Sequence, residues 1–92
     1  MKIEFDPKKS HKNVKERGLP FEWVEEFDWE TAITSQDERY PYPEPRFITM
    51  GYLGERLHVI CFTPIDSKTV RIISFRKANK REVTKYEEET TN

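Results

Sequence analysis

The sequence predicts an α+β fold, in which a twisted antiparallel sheet of about four strands carries helices packed on one of its faces. Three observations support this prediction. The 92 residues are enough for one small domain and too few for two independent cores, so we expect residues 1–92 to form a single domain. Aromatic side chains make up 13% of the residues and can anchor a thin core, although only 35% of the chain is hydrophobic. Helical signals dominate the N-terminal part, and β-rich segments joined by short connections follow.

The first two predicted elements are a short strand and a helix. Ile3 and Phe5 alternate with charged residues, which is typical of a strand with one buried face. Asp6 and Pro7 follow, and this pair is typical of a helix that begins with a capping Asp and a Pro in its first turn. Gly18 is a natural stop for that helix. The residues between them are mostly polar and basic, so we expect an exposed, basic helix.

A second helix is predicted from Pro20, because bulky apolar residues recur every three positions and acids occupy positions between them. The apolar residues are Phe21, Val24 and Phe27. The acids are Glu22, Glu25 and Glu26. We therefore expect an amphipathic helix whose outer face is acidic.

The remaining predicted elements are strands and a final helix. A β-prone segment begins at Thr31, and a rigid loop rich in Pro and Tyr follows it. Three β-rich segments come next, at residues 46–53, 57–63 and 69–75. Their short connections predict antiparallel neighbours. Residues 78–89 predict a short helix, and the acidic tail at about 88–92 is expected to be frayed, which completes the order β-α-α-β-β-β-β-α.

Charge is segregated along the chain, although the formal net charge is only −1. Residues 19–45 carry eight acids and one cation, whereas residues 46–81 carry eight cations and two acids. The cations of this basic block are Arg46, Arg56, Lys68, Arg71, Arg76, Lys77, Lys80 and Arg81. Like charges held close together repel, so such a block either meets an anion such as phosphate or is neutralised within the fold. Glu82 and the acids of the second helix are the candidates for neutralising it.

The sequence lacks the signatures of cofactor and metal sites. It has no Gly-rich phosphate loop, and its single Cys61 has no second cysteine with which to form a disulfide or share a zinc ion. His11 and His58 are far apart, and we expect a surface role for the first and a structural role for the second. We therefore expect no cofactor and no metal. The charged N-terminus and the lack of a long apolar run predict a cytoplasmic protein.

Three motifs give the chain a specific family resemblance. The first consists of a strand ending in Asp, spaced polar residues and the start of the second helix, namely Phe5, Asp6, Lys9, Asn13, Gly18 and Phe21. The second is Arg46-Phe47-Ile48-Thr49-Met50-Gly51. The third is Arg71-Ile72-Ile73-Ser74-Phe75-Arg76-Lys77-Ala78, with Glu82 and Tyr86 in register after it. In these motifs the chain resembles the BrnT toxins of bacterial type II toxin-antitoxin systems, a family similar in fold to the RelE-type endoribonucleases.

The resemblance implies a RelE-like fold and cleavage of RNA without a metal ion. In such a reaction the 2′-hydroxyl of the substrate attacks the phosphate, and the protein orients it, assists proton transfer and stabilises negative charge. The predicted catalytic residues are Arg46, Arg71 and Arg76 as phosphate ligands and Lys9 as a point charge or proton donor. The predicted RNA-binding residues are Asn13, Tyr40, Tyr42, Lys77, Lys80 and Arg81. Either tyrosine is expected to stack an unpaired base or, alternatively, to pack within its loop.

The resemblance also implies a protein partner, a small BrnA-like antitoxin that wraps and neutralises the toxin in a hetero-oligomer. The chain departs from the family at two places. It has Glu16-Arg17-Gly18 where Lys-His-Gly is usual, and Phe62-Thr63 where His or Tyr commonly precedes the Thr. Two candidate proton carriers are therefore missing. This leaves a second interpretation open, in which the same basic face binds nucleic acid or an acidic protein and cuts no bond.

Overall fold

The computed structural model describes residues 1–91, which form one five-stranded sheet with two α-helices and one 3₁₀ helix. The strands are β1 (Lys2–Glu4), β2 (Ile33–Gln36), β3 (Phe47–Leu53), β4 (Arg56–Pro64) and β5 (Thr69–Lys77). They lie side by side in the order β1-β5-β4-β3-β2. The predicted α+β class and the predicted order of elements along the chain are confirmed.

The number of strands in the sheet differs from the prediction of about four. All five strands of the predicted order of elements join the sheet, including the short β1, which pairs with β5 from Lys2 opposite Thr69 to Glu4 opposite Arg71 and runs parallel to it. The other neighbouring strands are antiparallel, so the sheet is mixed. Because residues 5–68 lie between β1 and β5, no short connection in the sequence indicates that these two strands pair.

The first helix, α1 (Pro7–Arg17), begins and ends where the sequence predicts. The Asp6 side chain accepts a hydrogen bond from the backbone N–H of Lys8 at 2.9 Å and so caps the first turn. Gly18 ends the helix with φ at 70°, in the left-handed region that a residue without a Cβ adopts at little cost. Local capping signals were therefore sufficient to place both ends of this helix.

The second predicted helix forms as a 3₁₀ helix, Phe21–Glu26, rather than as an α-helix. A 3₁₀ helix has three residues per turn, so side chains spaced by three lie directly above one another. Phe21 and Val24 accordingly face the same side, and both are buried. The backbone becomes extended at Phe27, which ends the helix after two turns. The spacing of the apolar residues thus predicted a helix correctly. Its period of three matches the three residues per turn of a 3₁₀ helix.

The last helix, α2 (Lys80–Thr90), begins with a reciprocal cap in which Asn79 and Glu82 each accept a backbone N–H of the other at 2.9 Å. The helix extends to Thr90, where a frayed tail was expected. The final residue of that predicted tail, at position 92, lies outside the described residues. Neither α-helix in residues 1–91 has the length and apolar character needed to cross a membrane.

Two apolar clusters lie on opposite faces of the sheet. Ile60 and Phe62 of β4 belong to the larger cluster, which includes the 3₁₀ helix, and Leu57 and Val59 belong to the smaller cluster, which includes residues of α2. Successive side chains of a strand point to opposite faces, so the two clusters are separated by the sheet. Helices therefore pack on both faces, whereas the sequence predicted one. The α2 face continues along β4 to Thr63, beyond the residues that α2 covers.

A β-bulge interrupts the pairing of β4 with β5. Cys61 lies opposite Ser74 and Phe62 lies opposite Ile72, so Ile73 is an extra residue in β5 without a partner in β4. An extra residue shifts the alternation of all side chains that follow it. The bulge therefore decides which side chains of the two halves of β5 share a face.

The bulge places Arg71 and Arg76 on the same face. Five positions separate these arginines, and in a regular strand an odd separation directs side chains to opposite faces. In the structure Arg71 lies opposite Thr63 and Arg76 lies opposite Val59. Because Thr63 and Val59 are four residues apart on β4, both arginines belong to the α2 face.

Candidate functional site

The open end of the α2 face holds a cleft of about 430 Å³, here named the cationic cleft. It is lined by Lys9, Glu44, Arg46, Thr63, Pro64, Ile65, Arg71 and Ile73. Three of the four predicted catalytic residues, Lys9, Arg46 and Arg71, meet in it. The parallel pairing of β1 is the reason, because α1 starts directly after β1 and its first turns therefore lie close to Arg71. The cleft is thus assembled from three distant parts of the chain.

Carboxylates orient both arginines of the cationic cleft. Nε and Nη2 of Arg71 donate to Glu4 Oε1 at 2.8 and 2.6 Å. Nε and Nη2 of Arg46 donate to Glu44 Oε1 at 3.2 and 3.1 Å. These partly exposed pairs contribute little to stability, but they fix the direction of each guanidinium and leave other N–H groups for an anion. Lys9 forms no ion pair within residues 1–91, and its charge is therefore uncompensated by any direct partner there.

Asp37 organises the loop that leads into the cleft. Its side chain is only 1% exposed and accepts hydrogen bonds from Arg39 Nε at 2.8 Å, Arg39 Nη2 at 2.9 Å and the Tyr42 hydroxyl at 3.0 Å. These bonds, above all those from Arg39, hold the pKa of Asp37 well below its usual range. The backbone N–H of Asp37 also donates to the carbonyl of Arg46 at 2.7 Å. Asp37, at the start of the loop, therefore binds side chains within the loop and the backbone of Arg46 at its end.

Sequence reasoning missed Asp37 and Arg39 as parts of the site. Neither residue was named as a candidate, because the sequence alone does not show that their side chains turn toward each other and toward Tyr42. One signal could have indicated them: Asp37 directly precedes a loop rich in Pro and Tyr. A carboxylate at such a position can accept hydrogen bonds from the backbone and side chains of the loop. Arg39 also lies near enough to Arg76 for its charge to lower the pKa of that residue, although Glu82 has the larger, opposite effect.

The structure separates the roles of the two tyrosines. The guanidinium carbon of Arg46 lies 4.2 Å from the centre of the Tyr42 ring, and the Tyr42 hydroxyl is bound to Asp37. Tyr42 therefore packs within the loop, which is the alternative the sequence left open. Tyr40 is 66% exposed and lies edge-on to Tyr42 with ring centres 5.8 Å apart. Of the two rings, Tyr40 is the one available to stack on a base.

A second cleft adjoins the cationic cleft. It has a volume of about 320 Å³ and is lined by residues 36–38 and 40–46, and it is named here the aromatic cleft. Glu44 and Arg46 line both clefts. The two clefts are therefore neighbours, with these side chains between them.

Arg76, the fourth predicted catalytic residue, does not line the cationic cleft. Arg71 and Arg76 lie opposite Thr63 and Val59, which are four positions apart on β4, a distance of roughly 13 Å along the strand. Nη1 and Nη2 of Arg76 donate to Glu82 Oε1 and Oε2, each at 2.8 Å. This pairing raises the pKa of Arg76 and lowers the pKa of Glu82. Glu82 thus neutralises Arg76 within the fold, which was the alternative interpretation of the basic block.

The other predicted RNA-binding cations lie at the end of β5 and the start of α2. Lys77, Lys80 and Arg81 are all exposed there, on the far side of Arg76 from the cationic cleft. None of the three lines the cationic cleft. Contact between these cations and RNA stays a prediction.

Asn13 has a role inside the fold. It is 8% exposed, and its Nδ2 donates to the carbonyls of Leu19 at 2.7 Å and Phe75 at 2.9 Å. Phe75 lies beyond the part of β5 that the short β1 reaches, so α1 supplies the hydrogen bond that a longer β1 would have made. Because both donors of the amide are used in this way, we remove Asn13 from the predicted RNA-binding residues.

Neither histidine contributes to the cationic cleft. His58 is 3% exposed, its Nδ1 lies 2.8 Å from the carbonyl oxygen of Arg56, and burial lowers its pKa. This agrees with the expected structural role. His11 is exposed on α1, also as expected. Among residues 1–91, no three His, Cys, Asp or Glu side chains are grouped so that they could hold a metal ion.

The acids of the 3₁₀ helix do not neutralise the basic block. Within the described part of the chain, no ion pair includes Glu22, Glu25 or Glu26. Glu22 instead accepts a hydrogen bond from the Ser10 hydroxyl at 2.9 Å, which joins the 3₁₀ helix to α1. The acidic and basic surfaces are therefore separate features of the molecule.

The fold and the cationic cleft define a small α+β protein with an open cleft lined by Lys9, Arg46 and Arg71. The family model described as "Ribonuclease toxin, BrnT, of type II toxin-antitoxin system" matches residues 5–82, so the chain belongs to this family, and the family implies an antitoxin partner. The chain is also similar to the ribonuclease toxin BrnT of Brucella abortus, whose crystal structure matches with a TM-score of 0.66 and 28% identity over 87% of this chain and 99% of that chain. No curated protein matches the chain in sequence. The resemblance inferred from the three motifs is confirmed.

Proposed function

We propose that this chain is a metal-independent endoribonuclease toxin that cleaves RNA in the cationic cleft. The observation that carries the proposal is the convergence of Lys9, Arg46 and Arg71 on one open cleft. Three cations around such a cleft suit a phosphodiester, which carries negative charge in the ground state and gains more in the transition state. Membership of the BrnT family supports RNA as the substrate.

Each side chain has a distinct part in the proposed reaction. The 2′-hydroxyl of the RNA attacks the neighbouring phosphorus, and Arg46 and Arg71 donate hydrogen bonds to the phosphoryl oxygens as their charge grows. Lys9 donates a proton to the departing 5′-oxygen. The products are a 2′,3′-cyclic phosphate and a 5′-hydroxyl end. Tyr40 stacks on an unpaired base beside the scissile bond, as single-stranded RNA commonly requires.

Two further parts of the proposal concern partners and location. A BrnA-like antitoxin binds the chain in a hetero-oligomer and covers the cationic cleft, which blocks RNA by occlusion. The exposed cations at Lys77, Lys80 and Arg81 extend the binding surface for RNA and for an acidic partner. Because the substrate is cellular RNA, the protein acts in the cytoplasm.

The test is incubation of the purified chain with total RNA in the presence of EDTA. A ribonuclease degrades the RNA and leaves 2′,3′-cyclic phosphate ends, whereas a binding module only slows its migration in a gel. A double variant, Lys9→Met with Arg71→Gln, purified in the same way controls for contaminating nucleases. Degradation by the wild type alone supports the proposal, and equal degradation by both preparations, or by neither, contradicts it.

A further inference from the structure

We propose that Glu44 is the general base of the cleavage reaction, taking the proton from the attacking 2′-hydroxyl. This inference rests on the proposed function, because it names the group that this reaction needs and that the missing family histidine and tyrosine do not supply. A base must lie within hydrogen-bond reach of the proton it removes. Its position relative to the bound nucleotide is therefore the first requirement.

The position of Glu44 matches that of a ribose. In a nucleotide the ribose connects the base to the phosphate. Glu44 lines both the aromatic cleft, where Tyr40 is available to a base, and the cationic cleft, where Arg71 and Lys9 are available to a phosphate. A nucleotide that spans the two clefts therefore places its 2′-hydroxyl beside the Glu44 carboxylate.

The other nearby carboxylates have different surroundings. Among the residues 1–91 that line the cationic cleft, Glu44 supplies the sole carboxylate. Glu4 lines an adjoining cleft on the β1 side, which shares Lys9 and Arg71 with the cationic cleft, and its Oε1 accepts two hydrogen bonds from Arg71. Asp37 is buried and fully occupied by loop hydrogen bonds, and Glu38 lines only the aromatic cleft. Among these carboxylates of the described residues, Glu44 is the one that lines both the cationic cleft and the aromatic cleft.

The loop holds Glu44 in a defined orientation. Pro43 and Pro45 flank it, and a following proline restricts the backbone of Glu44 to extended conformations. Its Oε1 accepts both hydrogen bonds from Arg46, and its Oε2 has no hydrogen-bond partner within residues 1–91. The side chain is 40% exposed, so a substrate can reach it. One oxygen is thus anchored, and the other is free to accept a proton.

The proton transfers balance over the reaction. Glu44 takes the proton of the 2′-hydroxyl as the 2′-oxygen forms its bond to phosphorus. The bond from phosphorus to the 5′-oxygen breaks, and Lys9 gives that oxygen a proton. Glu44 then returns its proton to water and Lys9 regains one. The charged groups that line the two clefts with Glu44 are Arg46 just before β3, Arg71 on β5, Lys9 on α1, and Asp37 and Glu38 at the start of the loop.

The test compares Glu44→Gln with Glu30→Gln, a variant that removes the same charge from an exposed residue outside both clefts. Loss of a general base costs about 10²- to 10⁴-fold in kcat. We expect Glu44→Gln to show this loss and to abolish the fall of kcat/KM toward acidic pH, whereas Glu30→Gln retains that fall. Binding to 2′-O-methyl RNA, which cannot be cleaved, should be as tight as in the wild type or tighter, because a negative charge has left the cleft.

Several outcomes separate this inference from its alternatives. Weaker binding by Glu44→Gln with an unchanged pH profile shows that Glu44 only orients Arg46, and it overturns the inference. Loss of the acidic limb in Glu4→Gln instead assigns the base to Glu4. If Glu44→Gln does not fold, rescue of Glu44→Ala by added acetate is measured, and absence of rescue in a folded Glu44→Ala overturns the inference. A wild type that cleaves no RNA refutes the proposed function itself.

Discussion

Arg76 and Glu82 form a two-point ion pair between the end of β5 and the first turn of α2, with both nitrogen–oxygen distances at 2.8 Å. The same carboxylate accepts the backbone N–H of Asn79 and so completes the cap of α2. One side chain therefore closes the helix end and attaches it to the sheet. We accordingly expect Arg76 to act in the fold, whereas Arg71 acts in the cationic cleft.

The first prediction concerns the stability of this junction. Arg76→Met and Glu82→Gln should each lower the free energy of unfolding by about 1 kcal/mol, the usual size of a partly exposed charged pair with good geometry. Urea unfolding measures both variants and the double variant. The double variant should be less destabilised than the sum of the single variants, because the second change removes a partner that is already lost. If the loss of unfolding free energy in the double variant equals the sum of the two single losses, Arg76 and Glu82 do not interact directly.

The second prediction is the pH dependence of the same pair. Folding lowers the pKa of Glu82 from its usual 4.5, so its stabilising contribution is complete above pH 4.5 and is lost as the pH falls through the lower folded value. Glu82→Gln should therefore lose less stability than the wild type on acidification below pH 4.5. Thermal unfolding at a series of pH values checks this. If the melting temperatures of the wild type and Glu82→Gln fall in parallel as the pH is lowered, Glu82 does not contribute to the loss of stability in acid.

The third prediction separates the two arginines by activity. Arg71→Gln and Lys9→Met should each reduce the rate of RNA cleavage by roughly 10²-fold or more, since each removes a charge that stabilises the transition state or a proton donor. Arg76→Met should remain within a few-fold of the wild type wherever it is folded. Lys85→Gln, on the exposed surface of α2, is the matched control for loss of a charge. Full activity in Arg71→Gln would show that RNA is not cleaved in the cationic cleft.

The fourth prediction concerns the loop held by Asp37. Asp37→Asn keeps the shape of the side chain but removes its charge and one of its acceptor oxygens, so Arg39 and Tyr42 lose their shared partner. The variant should melt at a temperature several degrees lower and should cleave RNA with a raised KM, because Tyr42 no longer supports Arg46. Glu30→Gln, at an exposed residue outside both clefts, should change neither quantity. Unchanged kinetics in Asp37→Asn would show that the loop does not position Arg46.

The fifth prediction concerns Gly51, the glycine at the end of the second motif. A Cβ on Gly51 would lie 2.6 Å from Phe27 Cζ, 2.9 Å from Ala32 Cβ and 3.1 Å from the carbonyl oxygen of Asp28. Gly51→Ala should therefore destabilise the fold by about 1–3 kcal/mol through overpacking. Denaturant unfolding checks the value, with the exposed Ser35→Ala as control. An unchanged free energy of unfolding in Gly51→Ala would mean that the segment from Phe27 to Ala32 moves away from the added Cβ at little cost.

Local sequence signals predicted the elements of this protein well. The ends of α1 follow from Asp6, Pro7 and Gly18, since a capping side chain, a fixed φ and a left-handed residue act on their immediate neighbours. The antiparallel order of β3, β4 and β5 follows from their short connections. The three motifs were enough to recognise the family. Each of these conclusions depends on interactions between residues that are close in the chain.

Tertiary structure decided how the candidate site is assembled. The parallel pairing of β1 with β5 brings Lys9 to Arg71, and the extra residue Ile73 brings Arg76 to the same face. Neither the partner of a short strand nor the position of a bulge has a strong local signal, because both depend on which distant backbone groups are left to pair. The sequence by itself therefore determined which elements form and which family they belong to. Only long-range pairing decided that Lys9, Arg46 and Arg71 share a cleft and that Arg76 lies outside it.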